Sequence, residues 1–249
     1  VVDFSKYMNE ILEVNSEEHW VRVQPGIILD ELNFHMRRYG LIFAPDPSTS
    51  NRANVGGALG NNSCGAHSII WGKTIDNVIS MNVVLSDGKP ASFGLLDKDG
   101  MDVKTRRNDL EGQIYLKLRS IGAANKLETL TRYPKILRRV SGYNLDEFND
   151  DDDFNMARFV VGSEGTLVSI TDTKLRLVKL PKMTALAVLH FRTLIESMEA
   201  TVATLELQPS AVEHIGSMII RQARAHSDYT GMTDFIEGDP DSLLVIEMT

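Results

Sequence analysis

The chain has 249 residues, of which 43% are hydrophobic and 24% charged, with 18 Gly and 8 Pro, and these proportions exclude disorder, collagen and coiled coil. Twenty-six Lys and Arg against 34 Asp and Glu leave a net charge of −8, which argues against binding driven by a nucleic-acid backbone and repels anionic lipid. No run approaches the roughly 18 apolar residues of a membrane span, and the single cysteine, Cys64, closes no disulfide or metal cluster within the chain, which fits a reducing, cytoplasmic setting.

Val1-Val2-Asp3-Phe4 reads as the tail of a strand, and Leu243 to Met248 reads as another strand. Chain ends seldom fall there, because a strand cut from its flanking connection exposes unpaired backbone. The expectation is a fragment of a longer protein. Trp20 to Gln24 alternates as a half-buried strand and turns at Pro25-Gly26. A helix follows, with Ile28, Leu32, Met36 and Tyr39 on one stripe, Arg37 and Arg38 in its last turn and Gly40 as a left-handed cap.

From Ala44 to Gly72 periodicity disappears, while five of the 18 glycines (56, 57, 60, 65 and 72) fall within 17 residues. Glycine permits close approach of backbone to a ligand, and the neighbouring Asn and Ser add short donors and acceptors. The segment matches neither G-x-G-x-x-G nor a phosphate loop. From the residues alone it is either a cradle for a large polar ligand or a structural irregular loop.

Ile79 to Leu85 alternates into a strand that turns at Asp87-Gly88 and returns over residues 89–95. Leu110, Ile114, Leu118 and Ile121 predict a helix over 109–125 capped by Asp109, followed by a basic connector, 127–140, that carries Arg132, Lys135, Arg138 and Arg139. Asp150 to Asp153, flanked by Asn149, lacks the spacing of a Ca²⁺ loop and reads as a solvated loop. Arg158 to Val161 reads as a buried strand leading into the polar turn 162–167, with a second strand from Val168 to Val178. Beyond Pro181 the prediction is a strand over 185–191, helices over 194–207 and 211–225, and a strand over 243–248, with a domain boundary near 180.

Pro45-Asp46-Pro47-Ser48, Gly56-Gly57, Asn62-Ser63-Cys64-Gly65, Trp71-Gly72-Lys73-Thr74, Leu85-Ser86-Asp87-Gly88, Gly142-Tyr143-Asn144-Leu145 and Gly162-Ser163-Glu164-Gly165-Thr166-Leu167 occur in one order. In that order and rough spacing the chain resembles the FAD-linked 2-hydroxyacid dehydrogenases over residues 1 to about 215. That family includes D-lactate dehydrogenases, the glycolate oxidase flavin subunit and D-2-hydroxyglutarate dehydrogenases. The resemblance implies an α+β fold: an FAD-binding domain of the vanillyl-alcohol oxidase type over 1–180, truncated at its N-terminus, and the opening of an α/β substrate or cap domain over 181–249. It also implies FAD as cofactor and a small D-2-hydroxy acid as substrate. Ser141 to Asp146 and the insert 94–140 look most like large members fused to an iron–sulfur part, which would lie outside this chain and accept the electrons.

Residue by residue, the resemblance places Pro45, Asp46, Pro47 and Ser48 along the flavin. Val55, Gly56, Gly57, Gly60, Asn61 and Asn62 fall beside the ring and diphosphate. Cys64, Gly65, Ala66 and Gly72 continue that wall, with Cys64 where the family more often has Gly, and Trp71 stands where Tyr is commoner. Gly162, Glu164, Gly165 and Thr166 match a second flavin-contacting turn, with Ile170 on the adenine or ribose side. Glu213 matches the start of a cap-domain helix. Arg138 and Arg139 either face a substrate carboxylate or belong to a solvated connector; Tyr143 either lines the substrate side or packs.

The family's Gly-Gly-Gly-Thr diphosphate loop would lie before Val1, and its catalytic and metal-ligating residues after Thr249. No catalytic or metal residue is therefore assigned within the chain, and the fragment alone is expected to be inactive and to bind FAD weakly. None of His19, His35, His67, His190, His214 and His226 forms the i,i+4 pair of a helical metal site; His67 lies inside the glycine-rich segment. Two rival readings are an enolpyruvyl-sugar reductase that shares the FAD architecture and a non-enzymatic module that retains it.

Overall fold

A computed structural model of the chain describes residues 2–139, 142–148, 153–229 and 231–249. Val1, Asn149 and Asp150 to Asp152 lie outside the described residues, and so do the expectations attached to them. Two units divide the chain, one of residues 1–65 and 71–180, the other of residues 66–70 and 181–249.

The first unit is built on alternation. β1 (Ile11–Asn15) and β2 (Trp20–Val23) form a hairpin, after which α1 (Leu29–Met36) runs into a single 3₁₀ turn that ends on Gly40 at φ 68°. The left-handed cap satisfies the open carbonyl of Arg37 and costs glycine no Cβ clash. α1 buries Leu29, Leu32 and Met36, so the stripe starts one residue later than Ile28, which is extended, and leaves Tyr39 outside.

Next come β3 (Leu41–Ile42), α2 (Val55–Asn61), then α3 (Ser68–Trp71), of which residues 68–70 belong to the second unit, β4 (Val78–Val84), β5 (Pro90–Phe93) and β6 (Leu95–Asp97). They are followed by α4 (Lys98–Thr105), α5 (Leu110–Arg132), β7 (Asp153–Asn155), α6 (Met156–Val160), β8 (Ser169–Arg176) and β9 (Val178–Lys179). Five strands make an antiparallel sheet in the order β1-β2-β8-β4-β5, which puts the late strand β8 at its centre. Val21, Val23, Met81, Val83 and Leu175 from this sheet, with Leu29, Leu32, Met36 and Leu59 from the helices, form one buried core.

Four sequence expectations are corrected here. Val2 to Phe4 form no strand. The aperiodic glycine-rich segment contains α2, a helix with three glycines, because Asn54 caps it through Gly57 N–H at 2.7 Å and Asn62 closes it in the left-handed region. Arg158 to Val161 is not a strand: Asn155 caps α6, whose Met156, Ala157, Phe159 and Val160 are all buried, and a short continuous apolar run does not tell helix from strand. α5 continues through Arg132 into the expected connector.

α5 starts at its expected cap, where Asp109 accepts from Gly112 N–H at 3.0 Å. Its most buried residues are Glu111, Gly112, Tyr115, Gly122 and Thr129, while Leu110, Ile114 and Leu118 pack only partly against the core. Glu111 is held by Lys104 and Arg107. The ring of Tyr115 sits edge-on to Phe93 and Phe154 with centroids 6.1 and 6.2 Å away, but among the described residues its buried hydroxyl has no partner. Burial, with the charge of Glu111, pushes that hydroxyl well above its ordinary pKa. A buried donor without a partner carries its full desolvation cost. Tyr115→Phe should therefore raise stability by about 1 kcal/mol, read as a higher urea midpoint at unchanged slope; a lower midpoint refutes this.

The second unit runs β10 (Ala185–Phe191), α7 (Leu194–Leu205), β11 (Ala211–Gly216), α8 (Ser217–Ala225) and β12 (Ser242–Met248). β12 is the middle strand, antiparallel to both β10 and β11. The helix expected over 211–225 thus begins only at Ser217, and Glu213 lies on a strand. Ala211 to Gly216 pairs along its whole length with β12, and this ladder outweighs the helical spacing of its apolar residues. Thr193 caps α7 in a capping box with Glu196, and Ile220 of α8 packs with Leu243 and Ile236.

Candidate functional site

Two segments distant in sequence meet beside the sheet of the first unit. Gly162 N–H donates to Leu59 O at 2.8 Å and Glu164 N–H to Gly60 O at 3.0 Å, so the turn after α6 lies against the C-terminal end of α2. Asn61 Nδ2 adds a bond to Glu164 Oε1 at 3.1 Å. Beside this seam opens a crevice of about 640 Å³. Gly56, Gly57 and Gly60 line it from α2, Ser163, Glu164 and Gly165 from the turn, and Val168, Ser169 and Ile170 from the entry to β8. Pro25, Asn54, Val160 and Val2 to Phe4 complete the wall.

Each glycine serves differently. A Cβ on Gly56 would stand 2.8 Å from Pro25 Cβ, so that glycine lets α2 seat on the turn after β2, where its own N–H donates to Pro25 O at 2.7 Å. Gly57 N–H is committed to Asn54. Neither amide is open to a ligand. Gly60 has beside its Cα only the Glu164–Gly165 peptide, with a Cβ there 3.7 Å from Glu164 Cα. Gly162, Glu164 and Gly165 all have positive φ, 83°, 52° and 70°, and among the described residues the N–H of Gly165 has no partner.

A large cofactor with both apolar rings and anionic oxygens fits this donor set. The volume lies in the range of small-molecule sites, Val160, Val168 and Ile170 give it an apolar flank, and Gly165 offers an unused main-chain donor.

The other expected residues lie elsewhere. Val55 is wholly buried in the core. Pro45, Asp46, Pro47 and Ser48 form the segment against which Gly65 packs, with the Asp46 carbonyl where a Gly65 Cβ would be. Cys64 is half-buried, and Ala66 falls in the second unit. Gly72 is left-handed at φ 73° and faces Asp76. Thr166 Oγ1 donates to Ser163 O and meets Tyr143 Oη at 2.9 Å. His67, the histidine of the glycine-rich segment, bonds Glu247 at 2.7 Å within the second unit.

Asn62 and Arg139 line a separate cavity of about 430 Å³ that shares no residue with the crevice. Both arginines of the basic connector are engaged: Arg138 donates to Gly65 O at 2.8 Å, and Arg139 donates to both oxygens of Asp146 at 2.6 and 2.7 Å while stacking on Tyr133. In the same cavity Glu147 pairs with Arg158, yet burial pushes its carboxyl above the ordinary carboxylate range. Among the described residues no group of His, Cys, Asp and Glu is placed to hold a metal ion, and no helix is long and apolar enough to cross a membrane.

Sequence reasoning missed Pro25, Asn54, Val160, Ser163, Val168, Ser169 and the segment Val2 to Phe4 as parts of the wall. Asn54 carried a signal, an Asn directly before a helix start; the N-terminal segment carried none.

Residues 1–94 match the family model described as an FAD binding domain. The chain is 32% identical over 243 residues to the D-2-hydroxyglutarate dehydrogenase of Escherichia coli (strain K12), covering 97% of this chain and 24% of that protein. It is 30% identical over 216 residues to a mitochondrial D-lactate dehydrogenase [cytochrome] of Arabidopsis thaliana, covering 86% and 29%. The chain thus spans about a quarter of the length of the curated relatives it matches. Among solved structures, alkyldihydroxyacetonephosphate synthase superposes with a TM-score of 0.60 at 18% identity, over 99% of this chain and 37% of that one. The fold is that of the vanillyl-alcohol oxidase type of FAD domain.

Proposed function

We propose, from the chain's membership of the FAD-linked 2-hydroxyacid dehydrogenase family, that it is the cofactor-binding part of an enzyme that oxidises a D-2-hydroxy acid of the lactate, glycolate or 2-hydroxyglutarate type. The observation that supports this best is the seam between Gly60 and Glu164, where two motifs distant in sequence become facing walls of one crevice. Bound FAD would accept a hydride from the hydroxyl-bearing carbon of the substrate.

In this reading Gly60 and Gly165 let the cofactor lie against bare main chain, and Gly165 N–H donates to one of its oxygens. Val160, Val168 and Ile170 exclude water from one side of it. Pro45 to Ser48 and Gly65, which pack on one another, are not part of this wall. Arg139, held by Asp146, and Tyr143, bonded to Thr166, shape the approach of a carboxylate substrate. Residues 1–180 would be the FAD-binding domain and 181–249 the start of a substrate domain, in a cytoplasmic enzyme whose electrons leave through an iron–sulfur part outside this chain.

Titration of the purified chain with FAD, followed by flavin fluorescence, should show weak but saturable binding. Absence of saturation at concentrations of about 1 mM, which corresponds to less than roughly 4 kcal/mol of binding, overturns the cofactor reading. In a full-length protein that contains this chain, a D-2-hydroxy acid added anaerobically should bleach the flavin. Bleaching by NADPH instead would point to the reductase alternative.

A further inference from the structure

We propose that Asn61 and Glu164 form a latch that sets the width of the crevice, and that they are positioning residues, not ligands of the cofactor; this rests on the reading of the crevice as the flavin site. Glu164 occupies a left-handed backbone position at φ 52°, between Gly162 and Gly165, which occupy such positions without side-chain cost. A non-glycine residue there carries backbone strain that glycine does not. Turn geometry alone would favour a third glycine. What a glutamate supplies and glycine does not is the carboxylate, and this one accepts from Asn61 Nδ2 at 3.1 Å across 103 residues of sequence.

Asn61 is itself braced, because Ser63 Oγ donates to Asn61 Oδ1 at 3.3 Å and so leaves the amide nitrogen directed at Glu164. Together with the two main-chain bonds of the seam, the side-chain bond makes a third tie between the walls. It also engages a negative charge at the lip of a crevice that must admit an anionic diphosphate. With Glu164 N–H spent on Gly60 O, the next amide, that of Gly165, a residue that lines the crevice, has no partner among the described residues. Latch and open donor are therefore one backbone arrangement.

Three variants test the latch: Asn61→Ala, Glu164→Gly and Glu164→Gln. Glu164→Gly should melt at or above the wild-type temperature, since strain is relieved, yet bind FAD about three- to tenfold more weakly, the loss expected of one hydrogen bond. Asn61→Ala should lose a similar factor, the double variant Asn61→Ala/Glu164→Gly should lose no more than either alone, and Glu164→Gln, which keeps an acceptor oxygen, should stay within about twofold. Amide hydrogen exchange of the ligand-free chain should rise together over residues 59–61 and 162–166 in Asn61→Ala and in Glu164→Gly. Unchanged exchange, or losses that multiply in the double variant, overturns the latch. If exchange rises as expected while even wild type takes up no FAD, the latch stands and the flavin reading falls.

Discussion

Gly65→Ala should lower stability toward the upper end of about 1–3 kcal/mol, the range for overpacking a filled site. The backbone at Gly65 is not in the left-handed region, so the cost is contact alone. A Cβ there would overlap the carbonyl and carboxylate oxygens of Asp46. A main-chain neighbour can move aside only if its own chain is free, and this one is not: Pro45 and Pro47 fix φ on both sides of Asp46, and Phe43 and Ala44 just before it are almost fully buried. Gly65 is pinned from its other side by Arg138, which donates to its carbonyl at 2.8 Å. Urea denaturation should show a lower midpoint at an unchanged slope. Asp46→Ala in the same chain should rescue only part of the loss, because it removes the carboxylate and leaves the carbonyl. An unchanged midpoint in Gly65→Ala would mean that the two segments do not cross as closely as described.

That crossing also marks the limit of what the sequence disclosed. Local chemistry was legible wherever one residue decides the outcome: Gly40 as a left-handed cap, Asp109 as the N-cap of α5, and the Asp87-Gly88 turn, where Gly88 sits at φ 80°. Patterns of apolar residues were less decisive. Met156 to Val160 is buried at every position but Arg158 and is too short to show the period that tells helix from strand, and Ala211 to Ile215 carried a helical stripe that the ladder to β12 overrode. α2 was hidden for the opposite reason. Three glycines disfavour a helix, and the caps Asn54 and Asn62, with packing of Val55 and Leu59 into the core, supply what propensity does not.

For the site, the motifs placed Gly56, Gly57, Gly60, Glu164, Gly165 and Ile170 in one group, and these six line one crevice. Periodicity would not have joined them, since the two stretches share no local pattern and meet only because β8 returns to the centre of the sheet. The division of labour among the glycines was likewise beyond the sequence. Gly56 and Gly57 spend their amides on Pro25 and Asn54, and only coordinates separate a glycine that lets backbone elements pack from one that leaves room for a ligand.

That separation gives the second large effect: Gly60→Leu should lower FAD affinity by more than about tenfold, the cost of displacing bound atoms from a filled pocket, and leave the fold standing. A Cβ at Gly60 would meet only Glu164 Cα at 3.7 Å and Gly165 N at 3.9 Å, both ordinary contacts. Replacing glycine within a helix gains up to about 1 kcal/mol in propensity, so the melting temperature should hold or rise. The remaining leucine carbons have to go where no protein atom stands, into the crevice that Gly60 lines. Gly60→Ala, with one carbon, should fall between wild type and leucine. Gly57→Ala is the control with the opposite signature: its Cβ would press on Asn54 Oδ1 at 3.1 Å and disturb the cap of α2, so stability should drop as well as affinity. Flavin titration and thermal melts on the same four proteins decide the matter. Full FAD affinity in Gly60→Leu would remove Gly60 from the cofactor wall, and a fall in melting temperature matching that of Gly57→Ala would make it a packing glycine.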